Sequence, residues 1–236
     1  MRKIKFFNSI KEALSITMRN DKSVVIMGLG VTDPKGIFGT TKGLEKIFGP
    51  KRVIETPTSE NAVTGIAMGA AIKGLRPILV HQRVEFALLS MEQIINQISK
   101  WHFMSAGKQK VPIVIRLIVG KGWGQGPQHS QSLEVLFSHI PGLKVISPFS
   151  ARDHKGLLKA AIRDPNPVIF LENEILYSDQ ESIIEHNDDI IPIGKAEILR
   201  EGSDITLISH SISLKMCLEA SKKLAKKNID CEVLDL

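Results

Sequence analysis

The chain has 236 residues, enough for one large domain or for one domain and part of another. Hydrophobic residues make up 43% and charged residues 24%, a globular balance that excludes a disordered chain, a collagen, a coiled coil and a disulfide scaffold. The net charge is +6, but the excess is scattered and aromatics are only 5%, which argues against a nucleic-acid surface. No apolar run approaches the roughly 18 residues of a membrane span. The N-terminus, MRKIKFFNSIKEAL, lacks the apolar core and cleavage site of a secretory signal, so the cytoplasm is the expected location. Cys217 and Cys231 have no C-x-x-C spacing and read as reduced thiols, not as a zinc or redox site.

In chain order, Ser9 and Glu12 read as a capping box opening a helix to about Arg19. Strands are predicted at Val24–Met27, Val53–Glu55, Pro77–Val80, Ile113–Leu117, Lys144–Ile146 and Val168–Leu171. Between them, helices are predicted at Thr41–Phe48, Glu60–Lys73, Leu88–Met104, Ser132–His139 and Ala151–Arg163. Short strands rich in Val and Ile, spaced by helices, predict an α/β fold with a mostly parallel sheet covered on both faces. The helix at Glu60–Lys73 is narrow, with Gly65, Ala67, Gly69, Ala70 and Ala71. Glycine inside a helix costs about 1 kcal/mol against alanine, so a close neighbour, either a helix or another subunit, is expected there.

From Glu174 to Ser203 the chain turns polar and irregular, with His186, Asn187, Asp188 and Asp189 followed by Pro192 and Gly194. The expected division is a first domain over 1–175, a linker over 176–203 and the opening of a second α/β domain over 204–236. In that tail, Asp204–Ser209 and Asp230–Leu234 read as strands around a helix, Ser213–Lys227. Lys222, Lys223, Lys226 and Lys227 form its solvated face, and Leu214, Leu218 and Leu224 its apolar one. Two parallel strands cannot bury both their faces, so the sequence is expected to be a fragment of a longer chain.

Taken singly, the motifs leave readings open. The segment Gly28-Leu29-Gly30-Val31 follows a strand but lacks the third glycine of a dinucleotide fingerprint, and Gly120–Pro127 has no GKS or GKT of a phosphate loop. His129, at a loop-to-helix junction, is either a proton donor and acceptor or a local cap. In Glu55-Thr56-Pro57-Thr58-Ser59-Glu60, Thr58 or Ser59 can cap the following helix, and Glu60 in its first turn suits the helix dipole without any further role. Phe86 can equally be a core residue, and Asp164 and Asn166 plain turn residues.

Read together, ETPTSENAVTGIAMGAAIKG at Glu55–Gly74, SMEQIINQISKWHFMS at Ser90–Ser105, QHSQ at Gln128–Gln131, PGLKVISP at Pro141–Pro148 and AIRDPNPVIFLENE at Ala161–Glu174 carry a resemblance. The chain resembles the beta subunit of thiamine-diphosphate-dependent 2-oxo acid dehydrogenases of the pyruvate dehydrogenase type, over nearly its whole length. The resemblance implies a transketolase-like pyrimidine-binding fold. It implies that Glu60 contacts the aminopyrimidine ring of the cofactor, that Thr58 is a further cofactor-binding residue, that Phe86 flanks that ring, and that His129 is the active-site histidine. It further implies a structural potassium ion held mainly by backbone carbonyls at Ile113, Ala161, Ile162, Asp164 and Asn166, hard oxygen donors that suit such an ion. The cofactor must lose a proton from a carbon that no ordinary side chain deprotonates well, and a carboxyl bonded to the pyrimidine makes the ring's own nitrogen the base.

No acidic magnesium motif is present. The resemblance therefore implies that an alpha subunit holds the diphosphate and Mg2+, in a hetero-oligomer of two alpha and two beta chains with active sites at the interfaces. The implied reaction is oxidative decarboxylation of a 2-oxo acid with acyl transfer to the lipoyl group of an acyltransferase, pyruvate being the default substrate. Acetoin and branched-chain enzymes, or a non-catalytic assembly subunit, are the alternatives. The last draws on one departure: where the family has an acid in a GEEV-like segment, this chain has Leu29. Arg83, in an unusually charged Gln82-Arg83-Val84-Glu85, reads first as a surface ion-pair partner of Glu85 and second as a partner for an anionic substrate group.

Overall fold

A computed structural model of the chain describes residues 2–183 and 190–236. The end of the polar stretch expected as a linker, 184–189, lies outside the described residues. The order of elements is β1 (Arg2–Lys5), α1 (Phe6–Asn20), β2 (Val24–Gly28), α2 (Leu44–Phe48), β3 (Val53–Glu55), α3 (Glu60–Ile72), β4 (Arg76–His81), α4 (Trp101–Met104), β5 (Val114–Val119), α5 (Glu134–Ser138), β6 (Lys144–Ile146), α6 (Ala151–Arg163), β7 (Val168–Asn173), β8 (Gln180–Ile183), β9 (Glu197–Arg200), β10 (Ile205–Ser209), α7 (Ile212–Ala225) and β11 (Cys231–Asp235).

Six strands form the main sheet in the order β3-β2-β4-β5-β7-β6, every neighbouring pair parallel. The alternation of side chains along β2 and β4 divides the core. Ile26, Ile78 and Val80 face α1 and α6, where they meet Ile10, Leu14, Met18 and Leu158. Val25, Met27 and Leu79 face α3 and the segment after β4, where they meet Val63, Ala67, Met68 and Ile94. Near-continuous Val and Ile runs are what a strand covered on both faces requires. One buried ion pair crosses the interior. Arg116 on β5 reaches both carboxylate oxygens of Glu172 on β7, at 2.5 and 2.7 Å, and the Tyr177 hydroxyl donates to the same carboxylate at 2.6 Å.

Two smaller sheets stand apart. β1 pairs antiparallel with β8, and β10-β11-β9 form a mixed sheet with α7 against it. β1, β8 and β9 are additions to the elements expected from sequence. All three are short and largely exposed, and their hydrophobic alternation is correspondingly weak. Lys222 and Lys223 on α7 and Lys226 and Lys227 just after it are exposed, while Leu214 is buried and Leu218 and Leu224 are half-buried.

Two expectations about helices fail locally. Ser9 does not cap α1: the helix begins at Phe6, and the buried Ser9 hydroxyl donates to the Phe6 carbonyl at 2.7 Å. Glu12 is taken by Arg2 and Lys155 instead. The capping box of this chain is at the start of α6, between Ser150 and Asp153. The single helix expected over Leu88–Met104 is a 3-10 turn (Val84–Ser90), a π turn (Gln93–Ile98) and the short α4. Ser99 supplies the reason for the wide turn. Its hydroxyl takes the Ile95 carbonyl at 2.6 Å, the acceptor an α-helical amide would use, and its amide bonds Ile94 instead, at 3.1 Å.

Candidate functional site

Strand order places the site. After β2 the chain crosses to β3 on one side, and after β4 it crosses to β5 on the other. At such a reversal the two connections diverge and leave a crevice at the carboxyl ends of the strands, where open α/β sheets bind ligands. A narrow cleft, with about 20 Å³ of room for water-sized spheres, lies there. Gly28 and Leu29 after β2, Thr56, Pro57, Glu60 and Val63 at the start of α3, and Leu79 to Gln82 with Phe86 at the end of β4 line it.

Glu60 is the first residue of α3, its N-cap Ser59 making no side-chain cap bond. The Glu60 carboxylate makes no hydrogen bond or ion pair with any described residue, while its backbone carbonyl accepts from Thr64. A half-buried carboxylate at a helix N-terminus, left uncommitted, is available to a bound molecule. The edge of the Phe86 ring meets His129, with centroids 5.6 Å apart and planes at 78°. His129 Nδ1 lies 2.7 Å from the Gln128 carbonyl. A carbonyl only accepts, so in the neutral ring Nδ1 carries the proton and Nε2 is the acceptor. The structure thus brings Glu60 and Phe86 into one cleft and His129 against Phe86. Thr58 is exposed and outside the lining; Thr56, two residues earlier, is buried and inside it.

Two residues that sequence reading did not single out belong to this place. His81 ends β4 and lines the cleft; it is 6% exposed, and its Nε2 is buried without a partner. Burial pushes its pKa down to about 4, so the ring is neutral. The position of His81 at the carboxyl end of a parallel strand was the available signal. Glu55, at the end of β3, ties the loop after β2 in place: it accepts from the Gly30 amide, and from the Thr32 amide and hydroxyl at 3.1 and 2.8 Å. Leu29 is 39% exposed at the cleft, so the side chain there is apolar.

Arg83 departs from its expectation. It makes no ion pair with Glu85, and Glu85 is buried rather than on the surface. The guanidinium lies 4.1 Å from the Trp123 ring centroid and 5.2 Å from that of Phe38.

Away from the cleft, the five residues expected around potassium meet at one corner of the sheet. Arg76 Nη1 donates to the Ile162 and Asp164 carbonyls at 2.8 and 3.2 Å, and the Lys144 ammonium donates to the Asp164 carboxylate. The Asp164 amide bonds Ala161, the Val168 amide bonds Ile113 at 2.9 Å, and both nitrogens of Asn166 bond Asp164. Burial pushes the Asp164 carboxyl up, but the bonds from Lys144 and Asn166 outweigh it and hold the pKa below the ordinary value. The Ile113, Ala161, Ile162 and Asp164 carbonyls of this corner accept hydrogen bonds from within the chain. Among the described residues no group of three or more His, Cys, Asp or Glu side chains stands ready for a metal ion.

The fold is that of a transketolase-type pyrimidine-binding domain. "Transketolase, pyrimidine binding domain" matches residues 2–180, and "Transketolase, C-terminal domain" matches residues 194–236. In solved structures the fold is similar to a split-gene transketolase described as an inactive beta4 tetramer (TM-score 0.79, 21% identity, covering 99% of this chain and 71% of that one). It is also similar to transketolase from Campylobacter jejuni (TM-score 0.77, 18% identity, covering 100% of this chain and 35% of that one). Among curated proteins the chain is 47% identical over 228 residues to the pyruvate dehydrogenase E1 component subunit beta of Rickettsia felis, covering 97% of this chain and 70% of that protein. It is 43% identical over 231 residues to the mitochondrial subunit of Bos taurus, covering 97% and 64%. The chain belongs to this transketolase-type family, on the branch of the pyruvate dehydrogenase E1 beta subunits.

Proposed function

We propose that the chain is the pyrimidine-binding half of a thiamine-diphosphate-dependent 2-oxo acid dehydrogenase, with pyruvate as substrate and an alpha subunit holding the diphosphate and Mg2+. The observation that carries the reading is the Glu60 carboxylate, left without a protein partner in a cleft walled by Phe86 at the sheet's crossover reversal. The residues fit a flat heteroaromatic ring: an apolar face at Phe86, a hydrogen-bonding carboxylate at Glu60, and an orphaned buried nitrogen on His81. The bound cofactor supplies the electron sink for decarboxylation. Glu60 holds the edge of the pyrimidine and sets where its ring proton resides, Phe86 excludes water from one side, and His129 receives or returns a proton through Nε2. Thr58 is proposed to act only through the turn that sets Glu60.

α3 is the proposed docking face for the alpha subunit. Ala62, Ile66 and Gly69 are exposed along one of its sides, and Ile66 is 61% exposed. We further propose a two-alpha, two-beta assembly that delivers its acyl group to a lipoyl acyltransferase. A pyrimidine-binding domain to about residue 175, a linker over 176–203 and a second unit from 204 remain the proposed organisation; within that linker, β8 returns to β1 and β9 joins β10 and β11. The two free cysteines suit a reducing, cytoplasmic location. No described helix is long and apolar enough to cross a membrane. Potassium at the corner of Ile113, Ala161, Ile162, Asp164 and Asn166 is a separate proposal. Each carbonyl keeps a second lone pair for an ion, although Arg76 brings a competing charge.

The test is co-expression with the alpha subunit. The complex is expected to release carbon dioxide from pyruvate only with thiamine diphosphate, and Glu60→Gln to lower kcat by roughly 10²- to 10⁴-fold. Binding of the cofactor followed by calorimetry separates loss of contact from loss of chemistry. A Glu60→Gln complex with the wild-type rate and affinity rejects the assignment.

A further inference from the structure

Building on the role given to His129 above, we propose that Glu85 and Arg83, in the segment after β4, are positioning residues that clasp the loop 120–131 at both ends and so fix where His129 stands.

Within the loop the Trp123 and His129 amides donate to the Gly120 and Gly126 carbonyls, each at 3.2 Å. The loop runs from the end of β5 and contains Gly120, Gly122, Gly124 and Gly126, residues with the widest backbone freedom. Lys121, Gln125 and Gln128 on it are exposed. Side chains from elsewhere add to its order, and among them Glu85 and Arg83 hydrogen-bond it. At its far end the Gln131 amide donates to Glu85 Oε1 at 2.7 Å. Glu85 is 8% exposed, and its other oxygen is buried without a partner among the described residues. Burying a carboxylate is costly, and the hydrogen bond seen for this one holds the loop. At the near end the Arg83 guanidinium covers the Trp123 ring, and its Nη2 donates to Gln125 Oε1 at 2.8 Å. Its Nη1 donates to the Gln82 carbonyl at 2.8 Å, so both terminal nitrogens are committed within the chain and the group acts as a strut.

Trp123 passes this constraint to the histidine. Its indole N–H donates to the His129 carbonyl. The ring packs so closely on Gly120 that a Cβ there would lie 2.0 Å from Cε2, which only glycine permits. His129 is thus held at its carbonyl by Trp123, at its ring by Phe86, and two residues further on by Glu85. Neither Arg83 nor Glu85 lines the cleft, so each acts through the loop.

The experiment uses the complex with the alpha subunit and compares Glu85→Gln, which keeps an acceptor oxygen for Gln131, with Glu85→Ala, which does not. Hydrogen exchange followed by mass spectrometry is expected to show 120–131 exchanging at least about tenfold faster in Glu85→Ala, and near the wild-type rate in Glu85→Gln. In turnover, Glu85→Ala is expected to lower kcat by about 10²-fold with KM little changed, and Glu85→Gln to recover most of it. The double variant Glu85→Ala with His129→Ala is expected to be no slower than His129→Ala alone, because both changes remove one function. Unchanged exchange in Glu85→Ala overturns the clasp, and additive losses in the double variant overturn its action through His129. If His129→Ala alone keeps the wild-type rate, the role of His129 falls, and exchange still decides the clasp. Arg83→Lys, which keeps the charge but not the planar stack, gives an independent variant: it is expected to speed exchange around Trp123 and to shift tryptophan fluorescence, and a wild-type loop in it counts against the near-end contact.

Discussion

His81 shows how one buried ring reports on pH. Burial holds its pKa at about 4 in the folded chain against an ordinary 6.5. The unfolded chain therefore binds a proton that the folded one refuses between those values. The contribution to stability is complete above pH 6.5, falls as the pH drops through the window from 6.5 to 4, and is on the order of 3 kcal/mol across it. His154, buried on the other side of the sheet, is shifted in the same direction chiefly by burial, against the opposing bond to the Ser150 carbonyl. Urea midpoints measured at pH 7, 6, 5 and 4.5 are expected to fall, and to fall less steeply in His81→Phe; parallel curves for the two proteins reject the assignment. At neutral pH the cleft then presents an uncharged imidazole beside the Glu60 carboxylate, a hydrogen-bonding wall and not a cation. The start of the Glu60 helix was legible in sequence from a turn proline, hydroxyl residues and a first-turn acid, while the site role of Glu60 came from the family resemblance. His81 was not, since nothing local distinguishes the last residue of a strand from the first of a loop.

Among the elements, α3 carries the clearest consequence. Its predicted span, Glu60–Lys73, differs from the observed Glu60–Ile72 by one residue. Val63, Ala67, Met68 and Ala71 are buried against the sheet, while Gly69 is exposed, with no atom within 4 Å of where a Cβ would stand. Within this chain, then, glycine at 69 serves no packing need. Gly69→Ala is expected to stabilise the isolated chain by about 1 kcal/mol through helix propensity. If α3 is the docking face, the same change weakens association with the alpha subunit, because an added methyl keeps two backbones apart. Chemical denaturation and sedimentation of the mixed subunits measure the two effects, and unimpaired assembly of the variant removes α3 from the interface. The segment after β4 gives the opposite lesson. Met91, Ile94, Ile98 and Trp101 have helical spacing, but Ser99 diverts the Ile95 carbonyl and opens a π turn. A hydrogen bond inside one turn overrode a periodicity that otherwise favours a single helix.

At the scale of the whole molecule, positive charges fasten the sheet, Arg116 from inside and Arg76 and Lys144 at a partly exposed corner. Arg116 and Glu172 join β5 to β7, and Arg76 and Lys144 draw β4 and β6 to the turn after α6. Removing one partner of a buried pair is far more costly than the pair's net contribution, so these residues fix strand neighbours more than they add stability. The Arg76 corner also bears on the proposed potassium ion. If the ion shares those carbonyls, the melting temperature is expected to be several degrees higher in KCl than in NaCl at equal ionic strength, since a ligand bound only by the folded state stabilises it. Equal melting temperatures leave Arg76 and Lys144 as the only cations the corner uses.

By itself the sequence determined the α/β class, the position of most main-sheet strands and the start of α3, because each follows from hydrophobic period and cap chemistry within a few residues. Through separated segments in register it also determined the family. Strand order decided the rest. Only the crossing of β2 to one side and β4 to the other opens a crevice between them, and only the folded chain brings residues 60, 81 and 86 to it and sets residue 129 against residue 86. The hydrogen bond to the buried Glu85 and the stacking of Arg83 on Trp123 depend on neighbours 40 or more positions away along the chain, distances over which local pattern carries no information.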